Sequence, residues 1–175
     1  MGKFGEKLLS VQSNKAYQRL FKELEHYLIM PLTKKDIAVI YNIRNCAILI
    51  QSKKEIDPKI IQEFINSKTE FGIEVYQVNI DGDSGLIDKY QGGTEQNIKI
   101  VFEIAKNKAP LVLIIPNIHL LTDLPMAAKQ LSMEIKENKH AKKTVYVVAT
   151  TNLAKKTHQD FLSSNCFDKV ITLRT

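Results

Sequence analysis

Five short stretches rich in β-branched residues alternate along the chain with longer stretches in which apolar residues recur every three to four positions. Several of the short stretches are apolar over their whole length, which is typical of strands buried on both faces of a sheet. The predicted strands are Ala47–Ile50, Ile73–Ile80, Leu111–Ile115, Thr144–Ala149 and Lys169–Leu173.

The longer stretches predict amphipathic helices between these strands. They span Asn14–Ile29, Pro58–Ser67, Thr94–Asn107, Leu124–Ile135 and Lys155–Ser163. Asn14 and Thr94 are the predicted N-caps, and Pro31 is predicted to end the first helix. Buried strands that alternate with such helices predict an α/β fold, a doubly wound, three-layer α/β/α sheet of five mainly parallel strands. Residues 1–13 form a peripheral N-terminal segment, and residues 14–175 form one domain.

The composition narrows the class of protein without naming an activity. The 175 residues carry a net charge of +6, but the lysines are spread along the chain, which does not favour a nucleic-acid partner. No apolar stretch is long enough to insert into a membrane, and residues 1–10 do not form a secretory signal. The two cysteines lack metal-ligand spacing. We therefore expect a soluble, intracellular protein without a metal site.

Three stretches carry a resemblance to a known family. They are Lys89–Ile98 (KYQGGTEQNI), Val145–Asn152 (VYVVATTN) and Phe167–Ile171 (FDKVI), and Leu28–Leu32 and Ile43–Ile50 precede them at matching positions. In order and spacing they resemble the α/β core of AAA-type ATPases, of the unfoldase and proteasomal-ATPase kind. The resemblance covers about residues 17 to 173 and implies a P-loop-NTPase-like sheet. The helical lid that follows this core in the family has no counterpart in the sequence.

The family binds phosphate with a loop of the form GxxxxGK[ST], whose backbone amides and lysine surround the phosphates. The matching stretch here contains no glycine, and it consists of Gln51, Ser52, Lys53, Lys54, Glu55, Ile56, Asp57 and Pro58. Asp57 takes the lysine position and Pro58 the hydroxyl position. Asp57 is a good N-cap and Pro58 a good first residue of a helix, so we expect the helix to be capped by the chain's own carboxylate.

The family also requires an Asp-Glu pair at the end of the third strand, to hold Mg²⁺ and to activate water. Here Pro116 and Asn117 take these positions, and Asn117 cannot act as a general base. The family's arginines, which act on the neighbouring subunit's nucleotide, are replaced by Ser163–Cys166. The resemblance therefore implies that ATP hydrolysis is lost, and no cofactor is predicted. His119 is assigned no chemistry.

Two parts of the family pattern are retained. Lys89, Tyr90, Gln91 and Gly92 are similar to the loop whose aromatic residue grips a translocating polypeptide in the AAA unfoldases. The alternative is that Tyr90 packs beside the sheet. Asn152 matches the family's sensor asparagine, and without the rest of the site we expect it to hydrogen-bond and to end a strand.

The leading hypothesis is a pseudo-ATPase domain that binds proteins, in or on a hetero-oligomeric AAA assembly. Its partners would be an active AAA subunit or a polypeptide client. One alternative is an atypical ATPase that still binds Mg-ATP through Lys53, Lys54 and Asn152. Another is a stand-alone protein that captures a peptide through Tyr90 or a nucleic acid through its lysines.

Overall fold

The structure, a computed structural model of the chain, describes residues 11, 14–34, 36, 47–69, 73–157, 159–162 and 166–174. Within them the strands are β1 (Ala47–Ser52), β2 (Glu74–Gln77), β3 (Leu111–Ile115), β4 (Val145–Thr151) and β5 (Lys169–Leu173). They form one sheet in the order β2-β3-β4-β1-β5, and every neighbouring pair is parallel. The predicted α/β fold is confirmed.

Helices cover both faces of this sheet. They are α1 (Lys15–Leu24), α2 (Met30–Thr33), α3 (Pro58–Lys68), α4 (Gly93–Asn107), α5 (Pro125–Asn138) and α6 (Gln159–Leu162). Helices α1 to α3 pack on the face that carries Ile48 and Ile50, whereas α4 to α6 pack on the face of Ala47 and Leu49. Successive side chains of a strand point to opposite faces, so an apolar strand such as β1 contributes to both cores.

Strands β1 and β4 extend two residues further at their carboxyl ends than predicted. Gln51 and Ser52, which the resemblance placed in the phosphate-loop stretch, continue β1. Thr150 and Thr151 continue β4 and are buried. The reason is tertiary, because these residues continue the ladders with a neighbouring strand. Gln51 and Ser52 pair with β5, and Thr150 and Thr151 pair with β1, which extends both strands into polar sequence.

The edge strand β2 is shorter than predicted, since it covers only Glu74–Gln77 of the predicted Ile73–Ile80. It pairs with β3 alone, and the chain turns away after Val78, whose amide still donates to the Ile114 carbonyl at 2.9 Å. Beyond Val78, the carbonyls of Asn79 and Ile80 accept from the Leu86 and Ile87 amides of the following loop, so these two residues are held by the loop and not by β3.

Pro31 does not end the first helix, as the sequence had predicted. A π-helical turn at Glu25–Ile29 follows α1, and the helix continues through Pro31 to Thr33. The Met30 amide bonds to the Glu25 carbonyl, five residues back. This wider turn changes the hydrogen-bond pattern just before Pro31, where the missing amide and the proline ring would disrupt a regular α-helix.

Two predictions fall on parts of the chain outside the described residues. The peripheral segment 1–13 is described only at Val11, which packs beside the core, and the arginine-replacing stretch is described only at Cys166, which is buried. Among the described residues, none of the helices has the length and apolar character needed to cross a membrane.

Candidate functional site

The carboxyl ends of the parallel strands meet at one edge of the sheet, where ligands bind in open α/β folds. Strand β4 lies between β1 and β3, so the loops that follow these three strands are neighbours at this edge. The stretches at the phosphate-loop, catalytic-carboxylate and sensor positions all lie here. The loop after β2 leaves the same edge further along the sheet.

The loop after β1 runs from Lys53 to Asp57 and leads into helix α3. Its Asp57 side chain accepts a hydrogen bond from the Lys59 amide at 3.0 Å, and Pro58 is the first helical residue. The predicted cap is therefore confirmed. Ile56, which is buried, fixes the loop to the core, while Lys53 and Lys54 are exposed. The start of α3 thus has a carboxylate of its own chain bonded to it.

Asn117 joins this loop to the end of β3. Its side-chain amide donates to the Glu55 carboxylate at 3.0 Å, and its backbone amide donates to the Thr150 hydroxyl at 3.2 Å. The residue adopts a left-handed backbone, with φ of 59°, which asparagine tolerates better than most residues. Pro116, just before it, is buried. Asn117 therefore contacts the loop after β1 with its side chain and β4 with its backbone.

The hydroxyl of Thr151 is the centre of a second network at the same edge. It lies 3.0 Å from His119 Nδ1 and 3.2 Å from the Thr157 hydroxyl, and it accepts from the Leu153 amide at 3.2 Å. Thr157 donates its own proton to the Leu153 carbonyl. The Thr151 hydroxyl thus contacts His119, Thr157 and the Leu153 amide at once.

Burial lowers the pKa of His119 below its ordinary value. The nearby Glu55 carboxylate acts in the opposite direction, and Lys156 adds to the lowering. At neutral pH the uncharged imidazole therefore predominates. The sequence assigned His119 no chemistry, and in the structure its ring connects the segment after β3 with the end of β4.

Asn152 lies directly after the last residue of β4 and is half-buried. Its position at the strand end agrees with the prediction. Within the described part of the chain we find no hydrogen bond from its side chain. The polar contacts predicted for Asn152 are instead made by its neighbours Thr150 and Thr151, and two successive threonines at the end of an apolar strand were the signal for them.

The loop after β2 is fixed by hydrogen bonds at several points. The Asn97 side chain donates to the Leu86 carbonyl at 3.0 Å, and the Ile87 amide donates to the Ile80 carbonyl at 2.9 Å. Leu86 and Ile80 are both buried. The loop is thus tied to helix α4 and to the core before it reaches the stretch that resembles the family's polypeptide-binding loop.

That stretch forms a turn around Asp88. The Asp88 side chain accepts from the Tyr90 amide at 2.9 Å, and the Asp88 amide donates to the Thr94 hydroxyl at 3.0 Å. Thr94 is therefore not the N-cap that the sequence predicted. Gly92, with φ of 79°, takes that position, because a residue without a side chain adopts this conformation at no steric penalty. Thr94 instead ties the loop to α4.

Tyr90 is 81% exposed at the tip of this turn, and Lys89, Gln91 and Gly92 around it are exposed too. The alternative in which Tyr90 packs beside the sheet is wrong for this structure. A well-anchored backbone thus presents a large aromatic ring to solvent. Among the residues that the structure describes, no group of three or more histidine, cysteine or acidic side chains is arranged to hold a metal ion.

Comparison with known proteins connects this geometry to a family. The sequence model of the ATPase family associated with various cellular activities (AAA) matches residues 59–175, which is more than half of the chain. The match begins directly after Pro58, so it includes the Tyr90 loop and strands β2 to β5 but not the stretch at the phosphate-loop position. A search of curated protein sequences gives no match. The chain therefore belongs to the AAA family of ATPase-type domains.

Proposed function

We propose that this AAA domain has lost nucleotide turnover and acts by binding proteins, in or on a hetero-oligomeric AAA assembly. The observation that carries the proposal is the hydrogen bond between Glu55 and Asn117. These residues occupy the positions at which an active member of the family would bind phosphate and activate water. The bond connects the two loops by side chains of the protein itself.

The chemistry of the two loops does not fit a magnesium–nucleotide complex. A phosphate loop supplies backbone amides and a lysine, whereas here Asp57 bonds the first turn of α3 and Glu55 lies beside Asn117. A carboxylate within a few Å of a phosphate would oppose binding by roughly 1–4 kcal/mol, depending on the local dielectric. Asn117 offers an amide where the reaction needs a base. The residues at these positions therefore do not support hydrolysis of a nucleotide.

Calorimetric titration with ATP and with ADP, each with Mg²⁺, tests the loss of binding. We expect no heat of binding at nucleotide concentrations up to the millimolar range. Two variants are titrated in parallel. Asp57→Lys introduces the family's lysine, and Asp57→Asn only removes the charge. Saturable binding to the unchanged chain would overturn the proposal and favour the atypical ATPase that uses Lys53, Lys54 and Asn152.

For the protein-binding role, the exposed Tyr90 ring on its anchored turn is the supporting observation. An aromatic ring on a loop offers an apolar surface that tolerates many partner sequences, as an unfolded client requires. We propose that Tyr90, flanked by Lys89, Gln91 and Gly92, contacts a polypeptide client. A second contact, with an active AAA subunit, would place this loop within the assembly.

Fluorescence anisotropy with labelled casein, an unfolded polypeptide, tests this contact. We expect Tyr90→Ala to weaken binding by about tenfold, as loss of a large buried aromatic contact predicts, and Tyr90→Phe to retain it. Val170→Ala is the matched control, since Val170 is exposed on β5 away from the loop. Equal affinity for casein of the unchanged chain and the three variants would show that Tyr90 is not part of the binding site. That outcome would not affect the result with nucleotides.

A further inference from the structure

Strand β2 forms one edge of the described sheet and pairs with β3 alone. The Val78 amide points to β3, where it donates to Ile114. Because successive residues of a strand alternate, the amide of Tyr76 points to β3 as well, and those of Val75 and Gln77 point away from the sheet. Among the described residues no strand lies on that side. This edge therefore presents backbone donors and acceptors in strand geometry.

An apolar groove of about 220 Å³ runs beside this edge, between β2 and helix α4. It is lined by Tyr76, Val78, Val101, Ile104, Ala105, Leu111 and Leu113. Ile104 is 48% exposed, so the groove opens to solvent along the helix. Its volume lies below the range of about 300–1,000 Å³ that is usual for sites of small-molecule ligands, and it suits one or two side chains of a peptide.

A cation lies at the rim of the groove. Lys108 Nζ is 2.6 Å from the Tyr76 hydroxyl and 4.7 Å from the centre of the Tyr76 ring. The Tyr76 hydroxyl raises the pKa of Lys108, and Glu74 acts in the same direction at longer range. Within the part of the chain that the structure describes, no carboxylate forms an ion pair with Lys108. The ammonium is thus positioned by an aromatic ring, and none of the described carboxylates contacts it directly.

We infer that the open edge of β2 binds an extended segment of a partner protein, with an aliphatic or aromatic side chain in the groove and an acidic residue beside Lys108. The backbone of such a segment would bond to Val75 and Gln77 and add a sixth strand to the sheet. Backbone bonds supply affinity in this mode of recognition, and pockets for alternate side chains supply selectivity. The charge of Lys108 and the apolar lining of the groove select the chemistry of the partner. This inference depends neither on the Tyr90 loop nor on the loss of nucleotide binding.

The probe is a fluorescein-labelled synthetic peptide, TLTLDT, in which leucines alternate with threonines and one aspartate follows. A matched peptide carries lysine in place of the aspartate, and a third has N-methyl groups on the backbone amides. We expect the aspartate peptide to bind more tightly than the lysine peptide and the N-methylated peptide not to bind. Anisotropy titrations measure all three against the unchanged chain.

Two exposed isoleucines on α4 provide a matched pair of variants. Ile104→Asp puts a charge into the groove, whereas Ile100→Asp puts the same charge at a 42% exposed position of the same helix that does not line it. We expect Ile104→Asp to weaken binding by at least tenfold and Ile100→Asp by less than twofold. Lys108→Glu should reverse the preference, so that the lysine peptide binds more tightly. Val170→Ala, on the opposite edge strand β5, should leave binding of the peptides unchanged.

Amide hydrogen exchange followed by NMR locates the peptide on the strand. We expect the amides of Val75 and Gln77 to become protected when the aspartate peptide binds, and that of Tyr76 to change little. No binding at millimolar peptide, or equal losses for Ile104→Asp and Ile100→Asp, would overturn the inference. Self-association of the chain that Ile104→Asp abolishes would also overturn it, because the occupant of the edge would then be a second copy.

Discussion

The loops after β1 and β2 leave the same edge of the sheet, and their side chains are used in opposite ways. In the loop after β1, Glu55 and Asp57 bond to groups of the chain itself. In the loop after β2, the side chain of Asp88 bonds to the backbone and holds it in a turn, and the Tyr90 ring stays in solvent. The first loop is bonded to the neighbouring loop after β3 through Glu55. In the second loop, Asp88 bonds within the loop itself and leaves the Tyr90 ring without such a bond.

Under the proposed loss of nucleotide binding, the comparison explains how such a site would remain a stable part of the fold without its ligand. Polar groups at the carboxyl ends of buried strands need hydrogen-bond partners, which a bound ligand or the protein can supply. Around β3 and β4 the chain supplies them through Asn117, His119 and Thr151. Around Tyr90 the internal bonds satisfy the backbone alone, which leaves the aromatic side chain available for a partner.

The largest effect on stability should come from Thr151, the centre of the network with His119, Thr157 and Leu153. Thr151→Val keeps the shape of the side chain but removes the hydroxyl that contacts His119, Thr157 and the Leu153 amide. Thr151 is buried, so the groups left without a partner should lower the free energy of unfolding by about 2–4 kcal/mol. Urea denaturation measures this, with the exposed Thr172→Val as the control. Equal stabilities for the two variants would contradict the role given to Thr151.

The anchored turn can be broken by a single methyl group. A Cβ atom at Gly93 would lie 2.6 Å from the carboxyl carbon of Asp88, which must then move and release the Tyr90 amide. We expect Gly93→Ala to lower the free energy of unfolding by about 1–2 kcal/mol and to weaken casein binding. Gln96→Ala is the control, because its side chain is exposed on the same helix and, among the described residues, is not a hydrogen-bond partner of Asp88. Unchanged casein binding by Gly93→Ala would indicate that the turn is dispensable.

The hydrogen bond between Glu55 and Asn117 should have a smaller but measurable effect on stability. In a double-mutant cycle, Glu55→Ala removes the acceptor, and Asn117→Gly removes the donor while it keeps the left-handed backbone. We expect a coupling free energy of about 0.5 kcal/mol, since the bond is solvent-exposed. Strictly additive effects in urea denaturation would mean that the contact does not hold the loops together.

The smallest effect should be the pH dependence that His119 confers. Its pKa is lower in the folded chain than the ordinary value of 6.5, so the unfolded chain binds the proton more readily. The stability contributed by the neutral imidazole is complete above about pH 6.5 and declines as the pH falls towards the folded pKa. We expect the midpoint of urea unfolding to fall less for His119→Asn than for the unchanged chain over this range. Parallel curves would contradict this assignment.

The sequence predicted the elements whose signals are local. β3 and β5 have the predicted bounds, and the cap of α3 by Asp57 follows from the Asp-Pro pair itself. The bonds between the loops were not predicted. Glu55 and Asn117 are 62 residues apart, and His119 and Thr151 are 32 residues apart. No spacing in the chain indicates such pairs, because only the order of the strands brings their loops together.

The position of β1 in the sheet has a consequence for how the chain is made. Ala47 is paired with Val147, and Ile48 with Lys169, so both neighbours of β1 come from the last part of the chain. During synthesis β2, β3 and β4 can associate in the order in which they emerge, whereas β1 must wait until β4 emerges, which begins about 100 residues after it. Contacts so distant in sequence form slowly. Until they form, an apolar strand stays exposed, and in this interval a nascent chain of this topology depends most on chaperones.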